Sequence, residues 1–176
     1  MEFDISLASS EIGTLRLGIH TSIAQSLENA ALKAADLGAN TFQIFSSSPR
    51  MWRASSPAPD DILHLHTARK KYGLDPLVVH ANYLINLASA DPVIRARSID
   101  AFRAELERSE AIGAEYVVLH PGSYRGATLD AGMEAVALGL EAAAEGLGPL
   151  RAKVLLENTA TALREDPQVR EAYLGD

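Results

Sequence analysis

The chain has 176 residues, 47% hydrophobic and 22% charged, with a formal net charge of −7 and a mean hydropathy close to zero. That composition suits a globular protein that buries a sizeable core, one domain by default. The absence of cysteine excludes a disulfide framework, a thiolate nucleophile and any Cys-based metal or redox site, leaves His and carboxylates as metal ligands, and fits a cytoplasmic location. The negative charge argues against a broadly basic nucleic-acid-binding surface, although a local basic or metal-bearing patch can hold phosphates in an acidic protein.

Residues 1–14 mix acids and serines, unlike a basic and apolar signal sequence, and read as an N-terminal extension. No stretch reaches the roughly 18 apolar residues of a membrane span, so no membrane is expected. From residue 15 a unit of strand, loop and amphipathic helix recurs five times. LRLGIH, residues 15–20, reads as the first strand; SLENAALKAADLGA follows as a helix, with Gly38 suited to its C-cap. TFQIF, residues 41–45, is the second strand and runs through SSSPRMWR into a helix from Asp60 to Tyr72.

PLVVHA, residues 76–81, is the third strand, followed by a long charged helix from about Asp91 to Ile112 that closes at Gly113. YVVLHP, residues 116–121, is the fourth, before an alanine-rich helix from Leu129 to Gly146. AKVLLENT, residues 152–159, is the fifth. Strands that are apolar at consecutive positions, each separated by a helix, predict a parallel sheet covered on both faces. A doubly wound sheet and a β/α barrel both satisfy that pattern. No Gly-x-Gly-x-x-Gly or Walker-type loop follows any strand, which removes the usual mark of a nucleotide-binding Rossmann domain and favours the barrel.

His20, His80, His120 and Glu157 each lie at or beside the C-terminal end of a strand. In a β/α barrel those ends open onto one face, where the βα loops build the active site. A single histidine there is often a satisfied polar residue at the core boundary; three of the chain's five histidines together with a glutamate are less easily explained so. Two histidines and a carboxylate make a common open zinc site, with a fourth position left for water or substrate. Zinc there would lower the pKa of bound water to about 7 and polarise a phosphoryl or carbonyl oxygen.

Pro121-Gly122-Ser123 would turn the backbone sharply after His120, leaving room for metal and substrate and setting Ser123 on the same face. Arg50, Trp52 and Arg53 suit phosphate contact and stacking on, or wedging between, bases, although Trp52 could equally cover the barrel rim. Tyr83, three residues after His80, could reach substrate. Leu84, Ile85 and Leu87 read as packing, and His64 and His66 as solvent-facing or helix-packing residues.

LGIHTS, SSPRMWR, VVHANYLINLAS, LHPGSY and LLENTA together, in order and at matching spacing, resemble the endonuclease IV family of zinc-dependent apurinic/apyrimidinic endonucleases. The likeness covers residues 15 to about 160, and HxxYLINL, HPGS and ENTA are highly specific in combination. The resemblance implies a β/α barrel with a trinuclear zinc cluster that cleaves DNA 5′ to abasic sites and removes blocked 3′ ends. By it, His80, His120 and Glu157 match cluster ligands, Glu157 in the place of the bridging carboxylate and so also catalytic. Arg50 and Trp52 match a DNA-inserting loop, with Met51 where a glutamine is often found, and Tyr83 a residue that probes DNA near the lesion. The role of His20 is left open. The implied mechanism is attack on phosphorus by a zinc-activated hydroxide, on duplex kinked by wedge residues.

The pattern stops after LLENTA. A β/α barrel takes eight strands and roughly 250 residues, so five strands predict a partial barrel over residues 15–160 and a polar tail over 161–176, with Asp166-Pro167 as a helix start. Only one complete His/His/Glu site is expected, the further cluster ligands lying on later strands. An open sheet exposes its edges and an apolar face, which leaves three alternatives: a fragment or internally deleted version of a longer enzyme, self-association or a partner chain that completes the sheet, or a diverged remnant. The competing functions are a sugar isomerase or epimerase of the same barrel superfamily and a non-catalytic metal- or DNA-binding remnant.

Overall fold

The computed structural model describes residues 15–53 and 55–157. The expected extension over 1–14, the tail over 161–176 and the helix start at Asp166-Pro167 lie outside them. In chain order the elements are β1 (Gly18–His20), α1 (Leu27–Asp36), β2 (Thr41–Phe45), α2 (Pro59–Tyr72), β3 (Leu77–His80), α3 (Pro92–Ala111), β4 (Tyr116–Leu119), α4 (Leu129–Ala144) and β5 (Lys153–Leu156).

Helices α1, α3 and α4 begin where a side chain caps their free amides. Ser26 accepts from Asn29 N at 3.0 Å, Asp91 from Val93 N and Ile94 N, and Thr128 from Ala131 N; such caps contribute about 1 kcal/mol each. Helix α2 starts instead on Pro59, whose missing N–H costs nothing in a first turn. It ends on Gly73 at φ 64°, a left-handed residue that a Cβ would strain.

All strand pairs are parallel and the spatial order is β1-β2-β3-β4-β5. A doubly wound sheet reverses its strand order at a switch point; this one never does, which decides between the two candidate architectures. The sheet is the first five-strand arc of a β/α barrel.

Helices cover one face of the sheet, not both, and the other is the open apolar face expected of a five-strand arc. Phe42, Ile44, Leu77, Val79, Val117 and Leu119 are buried against a helix layer that includes Ala30, Ala34, Leu65, Phe102, Leu106 and Val136. The alternate residues Gln43, Phe45, Val78, Tyr116 and Val118 are only half-buried on the concave face. Those strand residues are apolar at consecutive positions because, in a closed barrel, the concave side packs against the opposite wall. Leu15 and Leu17, just before β1, and Leu155 and Leu156, in β5, are exposed.

Candidate metal centre

Strands β3 and β4 deliver His80 and His120 to one end of the sheet, and β5 leads directly into Glu157, whose amide continues the ladder to Leu119 O at 2.9 Å. One ligand atom from each of these three side chains lies within 4.8 Å of the others. Glu157 Oε2 is 3.5 Å from His80 Nε2 and 4.0 Å from His120 Nε2. Ligands of a tetrahedral zinc at about 2.1 Å stand roughly 3.4 Å apart, so the first separation already fits and the second needs about half an ångström of closure.

The outward nitrogens are also prepared for the task. His80 Nδ1 lies 2.8 Å from Ala81 O, and His120 Nδ1 lies 3.4 Å from Glu157 O. A carbonyl accepts only, so each Nδ1 can donate to its neighbour and leave Nε2 to bind an ion, the usual arrangement of metal-binding histidines. The three residues fit a divalent ion.

Aromatic rings floor and roof the group. Phe45 meets His80 edge-on with ring centroids 5.2 Å apart, and Tyr83 stacks over His120 at 6.2 Å and 26° while lying 5.3 Å from His80. Tyr83 is 58% exposed, so its ring also faces solvent. His20 sits at the margin, its ring centroid 6.4 Å from that of His80 and 4.6 Å from that of Phe45. Loss of surrounding water, and then the charge of His80, hold its pKa below the usual 6.5.

Other candidate residues stand apart from this cluster. Arg50 and Trp52 are exposed in the loop after β2. Ser123 is exposed on the loop after β4, its Oγ accepting from Arg125 N at 3.3 Å. His64 and His66 are exposed on α2. An open cleft of about 330 Å³ lies under the Arg50 loop, lined among others by Ser46, Met51, Arg53 and Asp61. It contains none of the three converging side chains, and donor chemistry, not volume, marks the site.

Sequence reasoning missed three amide side chains that shape the site. Gln43 Nε2 reaches His20 Nδ1 at 2.9 Å. Buried Asn82 donates to Met51 O and accepts from Leu84 N at 2.7 Å, tying the Arg50–Trp52 loop to the loop after His80. Asn86 accepts from Ser123 N at 3.0 Å and donates to Ser123 O at 3.2 Å, clamping the turn that follows His120. None of the three carried a signal in the sequence: β2, which holds Gln43, ends in Phe45, and Asn82 and Asn86 lie two and six residues past His80.

Residues 31–170 match the family described as xylose isomerase-like TIM barrel. The chain belongs to this family, in its endonuclease IV branch. It is 65% identical over 148 residues to a probable endonuclease 4 from Solibacter usitatus, covering 84% of this chain and 51% of that protein. The crystal structure of endonuclease IV from Thermus thermophilus superposes with a TM-score of 0.74 at 36% identity, over 83% of this chain and 52% of that one. The chain thus spans about half the length of these relatives. A D-psicose 3-epimerase solved with D-fructose shares the fold at a TM-score of 0.58 and 15% identity, over 80% of this chain and 51% of that one, and at that identity the likeness is one of fold alone. Among the described residues no helix is long and apolar enough to cross a membrane.

Proposed function

We propose that residues 15–157 supply the metal-binding and DNA-facing part of a DNA-repair phosphodiesterase of endonuclease IV type, a hydrolase that cuts duplex DNA 5′ to abasic sites and clears blocked 3′ ends. The observation that carries this reading is the convergence of His80 Nε2, His120 Nε2 and Glu157 Oε2 beneath the exposed ring of Tyr83.

Zinc is the metal this donor set suits, and when bound it supplies a Lewis acid for a phosphoryl oxygen and lowers the pKa of a water to about 7. His80 and His120 would hold the ion through Nε2, with the carbonyls at their Nδ1 atoms as partners for the ring N–H. Glu157 supplies the anionic ligand and balances the ion's charge. Tyr83 offers a flat face to the nucleotide beside the lesion. Arg50 pairs with a backbone phosphate while Trp52 stacks on, or wedges between, bases, a division of labour suited to a kinked duplex. Ser123 lies on the same end of the sheet, on a turn fixed by Asn86. Such an enzyme works in the cytoplasm beside its DNA.

Incubation of the zinc-loaded protein with a labelled duplex bearing a tetrahydrofuran abasic analogue tests the reading. Cleavage 5′ to the analogue, leaving a 3′-hydroxyl, is expected. Equal treatment of abasic and intact duplex, or turnover of a ketose such as D-fructose in place of cleavage, would contradict it.

A further inference from the structure

Among the described residues His20 is the histidine near the cluster that does not join the converging group. Its hydrogen bonding is the reverse of that of His80 and His120. Their Nδ1 atoms face carbonyl oxygens, which only accept. The Nδ1 of His20 instead faces the amide nitrogen of Gln43 at 2.9 Å, which only donates. With the amide in this orientation Nδ1 of His20 keeps its lone pair, and the hydrogen of the neutral ring sits on Nε2.

A metal takes a ring nitrogen by its lone pair, so a histidine in this tautomer has no free lone pair to give. It has an N–H. The His20 ring centroid lies 6.4 Å from that of His80, so an anion bound at the converging residues comes within reach of the His20 ring. Gln43 sits on the half-buried concave face of β2, two residues from Phe45, where a polar side chain otherwise gains little by facing the arc.

We propose that His20 is a neutral hydrogen-bond donor to an oxyanion of the substrate, a non-bridging phosphate oxygen, and that Gln43 is the positioning residue that fixes it in this tautomer and bars it from serving as a further metal ligand. The proposal rests on the phosphodiesterase reading for the identity of the oxyanion. It divides the histidines at the strand ends by chemistry: two hold the ion and one addresses the anion the ion attracts.

Nitrogen-15 NMR of the histidine-labelled protein tests this without any turnover. In the metal-free protein near pH 8, His20 is expected to carry its hydrogen on Nε2 while His80 and His120 carry theirs on Nδ1. Zinc should shift the Nε2 resonances of His80 and His120 and leave both His20 nitrogens in place; inorganic phosphate, added to the zinc-loaded protein, should then shift the His20 Nε2–H. The Gln43→Glu variant offers an acceptor to Nδ1, so the His20 hydrogen should move to Nδ1 and the phosphate response should vanish. His20→Gln, which retains an N–H at a similar reach, should bind inorganic phosphate within about threefold of the wild type, whereas His20→Glu should weaken it at least about tenfold. A hydrogen on Nδ1 in the wild type, a zinc-induced shift at His20, or equal phosphate binding by the Gln and Glu variants would overturn the proposal. The expected resonances together with failure to cut abasic duplex would support the donor role and defeat the nuclease reading.

Discussion

Glu157 Oε2 lies 3.5 Å from His80 Nε2 although β4 stands between the strands that carry them. The contact exists because parallel strands end at one level, so residues 77 positions apart in sequence meet at the mouth of the arc. Whatever holds the ends of β3, β4 and β5 in register therefore holds the site, and the first predictions concern those supports.

Glu105 and Arg108 on α3 are buried to 1% and 6% exposure and pair at 2.8 Å, while Ser46 donates to Glu105 and accepts from Arg108 Nε at 2.9 Å. Ser46 opens the loop that carries Arg50 and Trp52. Arg108→Ala strands a buried carboxylate and should cost about 3–5 kcal/mol in urea unfolding. The double replacement Glu105→Leu with Arg108→Met should cost far less, because no charge is left uncompensated. A double variant as unstable as the single one would refute this account of the pair.

Gly122 has φ +93°, and a Cβ there would lie 2.8 Å from the Cα of Asn86. Gly122→Ala should force apart the turn after His120 and the loop holding Asn86, lowering stability by about 1–3 kcal/mol. Differential scanning calorimetry against the wild type checks it; an unchanged melting temperature would mean the turn relaxes freely.

Trp52 is the sole tryptophan, so its fluorescence reports on the loop that Asn82 ties down through Met51 O. Asn82→Ala should increase acrylamide quenching of Trp52 and weaken binding to abasic duplex while leaving the far-UV circular dichroism unchanged. Identical quenching in both proteins would show that the tie does not order the loop.

Glu110, on the last turn of α3, accepts from the amides of Arg151 and Ala152 at 2.8 Å and from Arg151 Nε at 3.3 Å, fixing the entry to β5. Burial raises its pKa; the Ala152 amide, then the side chain, amide and charge of Arg151, outweigh burial and leave it below the ordinary 4.5. The folded state thus binds this proton less readily than the unfolded one, so the stabilisation is fully present above about 4.5 and lost as pH falls through the folded value. The stability difference between wild type and Glu110→Gln should accordingly shrink as the pH is lowered from about 7 to about 3. A difference independent of pH would exclude the linkage.

Much of this arrangement was legible in the sequence because it resides in periodicity and in strand ends. The five strands, the four helices and the placement of His80, His120 and Glu157 follow from apolar runs that end in polar residues. Chain order also implied barrel winding once no nucleotide-binding loop appeared. The strand pattern alone did not show the one-sided helix layer, since Val78 and Val118 read the same whether a helix or an opposite barrel wall is to cover them; the exposed apolar face followed only from five strands being too few to close a barrel. Gln43, Asn82 and Asn86 were not legible, because their importance lies in which atom each faces across a gap between loops. Glu105 and Arg108 looked like two more charges on a charged helix, and only the fold reveals that their side of α3 turns inward towards Ser46.

The most direct test of the central claim is zinc binding, measured by equilibrium titration with native mass, on the wild-type protein and His120→Ala. At least one zinc per chain is expected in the wild type, and a loss of affinity exceeding about a hundredfold in a folded variant, since deleting a ligand costs more than the 10–100-fold of an outer partner. Unchanged zinc affinity in folded His120→Ala would show that His80, His120 and Glu157 are not the metal centre.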